Sequence, residues 1–179
     1  LVSILQRALH EEAPAPSASA GDGYPDLIGR SAAMQGAFRR IGRLAAGLDP
    51  VLIAGPEGSG RAAAGRVLHR DSGLSGPLVE AGPERFAEAG FTLVQDALGG
   101  SMLLRRVEAL SARGQAMLLE MLETDSADRA RVIATADGDG VERLRPALLE
   151  RLAVGLIEMP SVRDRGADRA LLFHRFLQE

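Results

Sequence analysis

The sequence predicts an α/β fold in three layers, a parallel sheet covered by helices on both faces. Two observations carry that expectation. Short apolar runs alternate with helical patterns along most of the 179-residue chain, the order that builds a buried parallel sheet. The first clear run, Val51-Leu52-Ile53-Ala54, leads directly into Gly55-Pro56-Glu57-Gly58-Ser59-Gly60-Arg61-Ala62, a glycine-rich turn that opens a helix. Such a turn falls at the carboxyl end of a strand, where sheets of this kind hold their ligands.

The elements follow in order. Leu1, Val2, Ile4, Leu5, Ala8 and Leu9 form a helical stripe over residues 1–12, expected to be the end of a helix from an upstream domain. Residues 13–24 are a linker by composition, and the compact core is expected over 25–160. Ser31 is the N-cap of a helix whose inner side carries Met34, Phe38, Ile41, Leu44 and Ala45, stopped by Gly47 and Pro50. After strand Val51 to Ala54 and the glycine loop, a helix runs to about His69. A turn at Gly73 to Gly76 leads to a strand at Leu78 to Ala81, then to a mostly helical stretch from Glu84 to Leu98.

Ser101 to Leu104 is the third strand, and Leu110, Met117, Leu118, Met121 and Leu122 mark the next helix. Arg131 to Thr135 is the fourth strand. Val141, Leu144, Leu148 and Leu152 predict the inner face of one further helix, and Val154 to Met159 the fifth strand. Leu171, Leu172, Phe176 and Leu177 lie on a last helix.

Composition removes several functions. A net charge of −3 and a pI near 5.7 give this piece no electrostatic case for holding nucleic acid. Without Cys there is neither a disulfide nor a thiolate metal site. No apolar run approaches the roughly 20 residues of a membrane span. Cytoplasmic residence is the expectation. All 21 basic residues are Arg, so an Arg at a position that chemistry would give to Lys can reflect coding bias. It is still no substitute, because a planar fork and a compact ammonium present charge differently.

The loop fits the phosphate-binding pattern G-x-x-x-x-G-K-[ST] at Gly55 and Gly60, with Gly58 adding freedom between them. Successive backbone N–H groups of such a loop turn around phosphate oxygens, and the following helix adds its positive end. Arg61 stands at the lysine position and Ala62 at the hydroxyl position. Two readings stay open: the amides of Gly58, Ser59, Gly60 and Arg61 hold a nucleotide, or the loop is only a tight strand-to-helix turn. His69 and His174 follow apolar residues inside helices and read as structural or surface groups. Asp137 to Asp139 reads as a turn beside glycines, not as a metal loop.

The order of these motifs resembles the AAA+ domain, a P-loop NTPase core, of NtrC-like activators of sigma-54 RNA polymerase. The likeness runs from Leu27 to about Leu177. Leu27 to Met34 is similar to the family's L-I-G-x-S-x-x-M, which implies that Ile28 and Gly29 wall the adenine pocket. Gly55 to Ala62 resembles G-E-S-G-T-G-K-E, so Ala62 is no departure and Arg61 is one. Gly99 to Arg106 resembles G-G-T-L-F-L-D-E, whose Asp organises Mg²⁺ and whose Glu polarises the attacking water. Arg105 and Arg106 stand in their places. Gln115 to Leu119 is similar to Q-x-x-L-L, Arg131 to Asp137 to R-I-I-A-A-T-N with Asp137 at the sensor position, and Met159 to Arg165 to L-P-P-L-R-E-R. Leu144 to Leu152 resembles F-R-x-D-L-x-x-R-L, whose two arginines, offered in trans to a neighbour's ATP, match Arg145 and Arg151.

The hairpin tipped by G-A-F-T-G-A, with which relatives touch sigma-54, has no room between Leu78 and Gly99. Ala89-Gly90-Phe91-Thr92-Leu93 is not a credible remnant of it. The resemblance therefore implies a five-stranded core without its lid subdomain, residues 161–179 being only the start of that lid region, and a receiver-like domain ending at residues 1–12, in a two-component regulator impaired in hydrolysis and unable to engage sigma-54. ATP or ADP is the ligand implied, and the two arginines argue against Mg²⁺ and against any metal site. The partners implied are copies of this chain or related AAA+ subunits, RNA polymerase only indirectly, and DNA only through a domain outside this chain. A slow ATPase and a hetero-oligomer partner lending Arg145 and Arg151 are the rival readings. On spacing alone, those two arginines do not share a helix face and read equally well as solvated side chains.

Overall fold

The computed structural model describes residues 27–124, 130–166 and 168–176. The predicted stripe at 1–12, the linker at 13–24 and the start of the core at residues 25 and 26 lie outside the described residues, as does Leu177. Five strands form one parallel sheet: β1 (Val51–Ala54), β2 (Leu78–Ala81), β3 (Ser101–Leu104), β4 (Arg131–Ala136) and β5 (Gly155–Glu158), in the spatial order β2-β3-β4-β1-β5. Helices α1 (Ala32–Ala45) and α2 (Arg61–Asp71) cover one face. Helices α3 (Pro83–Asp96), α4 (Ala112–Glu123) and α5 (Pro146–Leu152) cover the other, and α6 (Asp168–Phe176) follows β5.

Strand composition explains the layering. In β1, all four residues are buried because alternate side chains feed opposite cores. Val51 and Ile53 pack with Met34, Ile41, Val67 and Leu68 of α1 and α2. Leu52 and Ala54 pack with Phe86, Leu118, Leu148 and Leu152 on the other side. The three central strands, β3, β4 and β1, sit in register, Val51 beside Ile133 and Leu103 beside Ile133, so their carboxyl ends line up at one rim.

Two details depart from the sequence prediction. The expected helix carrying Val141, Leu144, Leu148 and Leu152 is broken in two. A single turn, Asp139–Arg143, is followed by extended Leu144 and Arg145, and α5 begins only at Pro146. Proline has no N–H to continue a helix and drives the residue before it out of the helical region, so it fits the first helical position and not the middle. All four apolar side chains are buried nonetheless. Leu110, expected on α4, precedes it: Ser111 caps the helix by accepting the Gly114 N–H at 3.2 Å.

Ser31 caps α1 as predicted, accepting the Met34 N–H at 3.3 Å. The other end of α1 is closed by a residue outside it. Arg131, only 1% exposed, donates to the carbonyls of Leu44 (2.6 Å), Ala45 (3.1 Å) and Asp49 (3.2 Å). Leu44 and Ala45 lie in the last turn, whose carbonyls a helix leaves without intrahelical partners, and Asp49 lies in the turn beyond it. The cationic fork at the first position of β4 therefore ties the sheet to the first helix.

Between β2 and β3 the chain forms α3 and nothing else. That helix has a kink at Ala89 (φ −136°, ψ 24°), next to Gly90, whose missing side chain lets Met117 and Met121 of α4 approach. The described residues hold no hairpin in this interval.

Candidate functional site

The carboxyl rim of β1, β4 and β3 carries the glycine loop, Asp137, Arg105 and Arg106. The glycine loop comes first. Gly55 (φ +157°), Gly58 (φ +74°) and Gly60 (φ +88°) all lie where L side chains are rarely found. Gly55 is the most constrained, because a Cβ there would stand 2.5 Å from the Met159 carbonyl oxygen and 2.9 Å from the Met159 Cβ. Its N–H donates to the Ala136 carbonyl (3.3 Å), and the Met159 N–H donates to the Ala54 carbonyl (2.7 Å). The loop is thus anchored between β4 and the end of β5.

The loop's amides are arranged for an anion. Gly60 is the N-cap of α2 and offers no side-chain cap, so the first N–H groups of this eleven-residue helix find no partner in the cap. Among the described residues, the N–H groups of Gly58, Gly60 and Arg61 have no backbone acceptor. Ser59 differs from the expectation that it too offers its amide, because its N–H already closes a turn on the Pro56 carbonyl at 3.1 Å. Its side chain is 1% exposed and its hydroxyl has no partner. Arg61, at the lysine position, is half-buried, with one guanidinium nitrogen enclosed and unpartnered. Ala62 heads the next helical position and contributes only its backbone.

The segment expected to wall an adenine pocket lies beside this loop. Leu27 is buried and packs under Gly60, where an added Cβ would meet its Cδ1 at 3.0 Å. Ile28 is half-buried and Gly29 buried. A side chain at Gly29 would strike Met34, its Cγ standing 2.5 Å away.

The opposite side of the rim has other chemistry. Arg105 and Arg106 follow β3 and are both exposed. Arg105 extends the sheet through its N–H to the Ala81 carbonyl (2.9 Å). Arg106 adopts φ 54°, ψ 53°, its N–H donating to the Thr135 hydroxyl at 3.2 Å, and its guanidinium reaches Glu84 at 3.8 Å. Asp137 lies one residue beyond β4, and its Oδ1 accepts the Asp139 N–H at 3.3 Å, the turn expected of Asp beside glycines. Glu108 packs on Gly140 with one oxygen enclosed and unpartnered, which brings it to the same loop as Asp137. The described residues contain no group of three or more His, Asp or Glu able to hold a metal. Two cationic side chains at the end of β3 are the wrong donors for Mg²⁺, which takes oxygen ligands.

Arg145 and Arg151 occupy the two ends of α5 and are exposed. Their backbone separation along the helix is about 9 Å. Gln115, buried on α4, fixes the approach to Arg145: its Oε1 accepts the Arg145 N–H at 2.8 Å and its Nε2 donates to the Arg143 carbonyl at 3.2 Å.

Two residues not counted among the site candidates stand behind the loop. Arg165, 2% exposed, donates its guanidinium to the Ser59 carbonyl and, at 3.0 and 3.2 Å, to the Pro160 carbonyl. Asp168, fully buried at the start of α6, accepts the N–H groups of Arg30 (2.6 Å) and Ser31 (3.0 and 3.1 Å). Burial pulls the Arg165 guanidinium below its usual range, with the charge of Asp168 opposing. For Asp168, burial pushes the carboxyl up, but the hydrogen bonds from Ser31 and Arg30 and the charge of Arg165 outweigh it and hold it low. Arg165 belonged to a motif visible in the sequence. An Asp opening a helix was the available signal for the other.

Comparison with known proteins agrees with this geometry. The family model described as the sigma-54 interaction domain matches residues 28–158, most of the chain. The C4-dicarboxylate transport transcriptional regulatory protein DctD of Pseudomonas aeruginosa is 31% identical over 85% of this chain and 41% of its own length. The DNA-binding transcriptional regulator NtrC of Azospirillum brasilense is 30% identical over the whole of this chain and 46% of its own. The chain therefore spans less than half the length of these relatives. The alignment with that NtrC covers 220 positions against 179 residues here, so the relative carries residues within the span that have no counterpart in this chain. Among solved structures, NtrX of Brucella abortus in complex with ATP superposes with a TM-score of 0.73 at 24% identity, over 87% of this chain and 43% of that one. The P-loop NTPase domain of a sigma-54 transport activator from E. coli superposes at 0.60 and 21%, over 70% and 94%. At those identities the likeness is one of fold.

Proposed function

This chain belongs to the sigma-54 interaction domains of NtrC-type transcriptional regulators, and we propose that it is a nucleotide-sensing member that binds ATP or ADP without turning it over. The observation that carries this reading is the pair Arg105 and Arg106 at the end of β3. Phosphoryl transfer is mostly positioning and charge compensation around a metal and the γ-phosphate. Replacing both carboxylates by guanidinium groups removes the metal's anchor and the group that would polarise water.

Binding is a separate matter, and the residues present fit it. The amides of Gly58, Gly60 and Arg61 and the positive end of α2 would hold the phosphates, while Ile28 and Gly29 flank the base. Arg105 and Arg61 supply positive charge on the two sides of that site. The NtrX structures in complex with ATP and with ADP support nucleotide as the ligand class. Mg²⁺ does not fit this donor set.

The second half of the proposal concerns output. With α3 alone between β2 and β3, the chain lacks the hairpin that the family resemblance assigns to sigma-54 contact. It therefore acts through assembly or by passing on a signal from a neighbouring domain, in a larger protein that meets DNA elsewhere and RNA polymerase only indirectly. Arg145 and Arg151, exposed at the ends of α5, are the residues it would offer to another subunit. In this reading, residues 1–12 end an upstream receiver-like domain, 13–24 link it to the core of 25–160, 161–179 start the lid region, and the protein works in the cytoplasm.

Phosphate release from ATP and Mg²⁺ by the purified chain, measured to a sensitivity of about one turnover per hour, tests this directly. The expectation is no release above background. A second reading, a slow ATPase, draws on Glu108 and Asp137 meeting at Gly140. Release abolished by Glu108→Gln would replace the first reading with the second.

A further inference from the structure

We propose that Arg165 and Asp168 are a positioning pair that locks both walls of the nucleotide site from behind, so that the phosphate amides are set before any ligand or metal arrives. The inference rests on the nucleotide-binding reading above and deepens it by naming what replaces the metal as organiser of the loop.

The geometry begins at one peptide bond. In a trans peptide the C=O and the following N–H point in opposite directions. The Ser59 carbonyl accepts from the Arg165 guanidinium on the buried side of the loop, so the Gly60 N–H is turned to the other, open side. Gly60 at φ +88° allows that orientation at no steric cost. Were the Ser59 carbonyl free to rotate outward, the loop would present an oxygen lone pair to a phosphate, and binding would first have to reverse the peptide. The fork of Arg165 also holds the Pro160 carbonyl twice. The loop, the end of β5 and the turn Arg163–Arg165 therefore move as one piece.

Asp168 performs the matching task on the base side. Its carboxylate takes the N–H groups of Arg30 and Ser31 together, which fixes the backbone that follows Ile28 and Gly29. A carboxylate bonded to two backbone N–H groups is a strong, charge-assisted anchor. Arg165 and Asp168 are three residues apart, one on the turn and the other at the start of α6. A shift of α6 would loosen the phosphate wall and the base wall at once. The pair thus couples the position of the C-terminal segment to nucleotide affinity, and nucleotide occupancy to the position of that segment.

The test uses the chain as it stands, with Arg165→Ala, Arg165→Lys and Asp168→Asn. ADP binding is followed by calorimetry, and amide hydrogen exchange is read in the absence of nucleotide. Arg165→Ala is expected to lose at least tenfold in ADP affinity and to exchange faster at Gly60 and Arg61. Arg165→Lys, which keeps the charge but replaces the planar fork with a single ammonium, is expected to recover part of the affinity. Asp168→Asn is expected to release the Arg30 and Ser31 amides with a smaller loss of affinity. If Arg165→Ala does not fold, Arg165→Lys decides: threefold or greater loss with faster exchange confined to 58–61 supports the pair.

Unchanged exchange at Gly60 and Arg61 in a folded Arg165 variant overturns it. So does unchanged ADP affinity there, provided the wild-type chain binds ADP. If the wild-type chain binds no ADP, the nucleotide reading fails by itself. The exchange arm then still judges the lock.

Discussion

The two sides of the strand rim differ in kind. On the β1 side, glycine backbone angles, an uncapped helix start and two buried charged groups behind the loop all serve one arrangement of amides. On the β3 side, the same rim ends in two exposed guanidinium groups, and Asp137 is spent on its own turn. On the proposed reading the first side is preorganised for phosphates, and the second lacks the carboxylates that hydrolysis would use. Binding and hydrolysis rest on different residues of one fold, and a domain can shed the second while its core still maintains the first. The core has its own reason to keep the loop: its first residue, Gly55, donates to the Ala136 carbonyl, next to the bond from the Met159 N–H to the Ala54 carbonyl.

The largest effect is expected at Gly55. Gly55→Ala would place a Cβ 2.5 Å from the Met159 carbonyl oxygen in a backbone region hostile to side chains, and should cost about 3 kcal/mol or more in urea unfolding. A cost under about 0.5 kcal/mol would mean that the loop is not held as tightly as the comparison requires. Gln115→Ala strikes the other side's scaffold. It leaves the Arg145 N–H and the Arg143 carbonyl without their partner, at a cost of about 2 kcal/mol, while ADP affinity stays unchanged. A fall in ADP affinity equal to that of an Arg165 variant would erase the distinction between the sides.

Arg105→Asp combined with Arg106→Glu restores the missing charges on the β3 side. ADP binding by this variant should become tighter with Mg²⁺ by about tenfold, equivalent to about 1.4 kcal/mol, and binding by the parent should not respond to Mg²⁺. No Mg²⁺ response in the variant would place the deficit somewhere other than β3. The smallest effect belongs to the shared scaffold. His69, hydrogen-bonded to the Ser101 hydroxyl at 2.9 Å, has its pKa lowered by burial first and by the Arg131 charge second. The unfolded chain therefore binds this proton more readily. Stability is complete above about pH 6.5 and declines as pH falls below it. In His69→Asn that part of the decline should vanish from melts between pH 7.5 and 5.5, and an unchanged slope would remove His69 from the account.

Much of this arrangement was legible in the sequence, for identifiable reasons. Val51 to Ala54, Ser101 to Leu104 and Arg131 onward read as buried strands because both faces of a covered parallel sheet demand apolar residues. Gly55, Gly58 and Gly60 announced the loop, since no other residue takes those backbone angles cheaply. The missing acids were visible as Arg105 and Arg106 by alignment with a motif. What was not legible depends on chain reversal in space. Arg165 meets Ser59 across 106 residues, and Asp168 meets Arg30 across 138. Periodicity carries no trace of such pairs. The break at Leu144 and Arg145 was within reach, because Pro146 stated it, but an unbroken apolar spacing concealed it.

The most direct test is calorimetry of ADP and ATP against the purified chain, once with Mg²⁺ and once with a chelator. The expectation is binding in the micromolar range with the same affinity in both conditions, because backbone amides and guanidinium groups, not a metal, would hold the phosphates. Binding that appears only with Mg²⁺ would contradict it, and so would no binding in either condition.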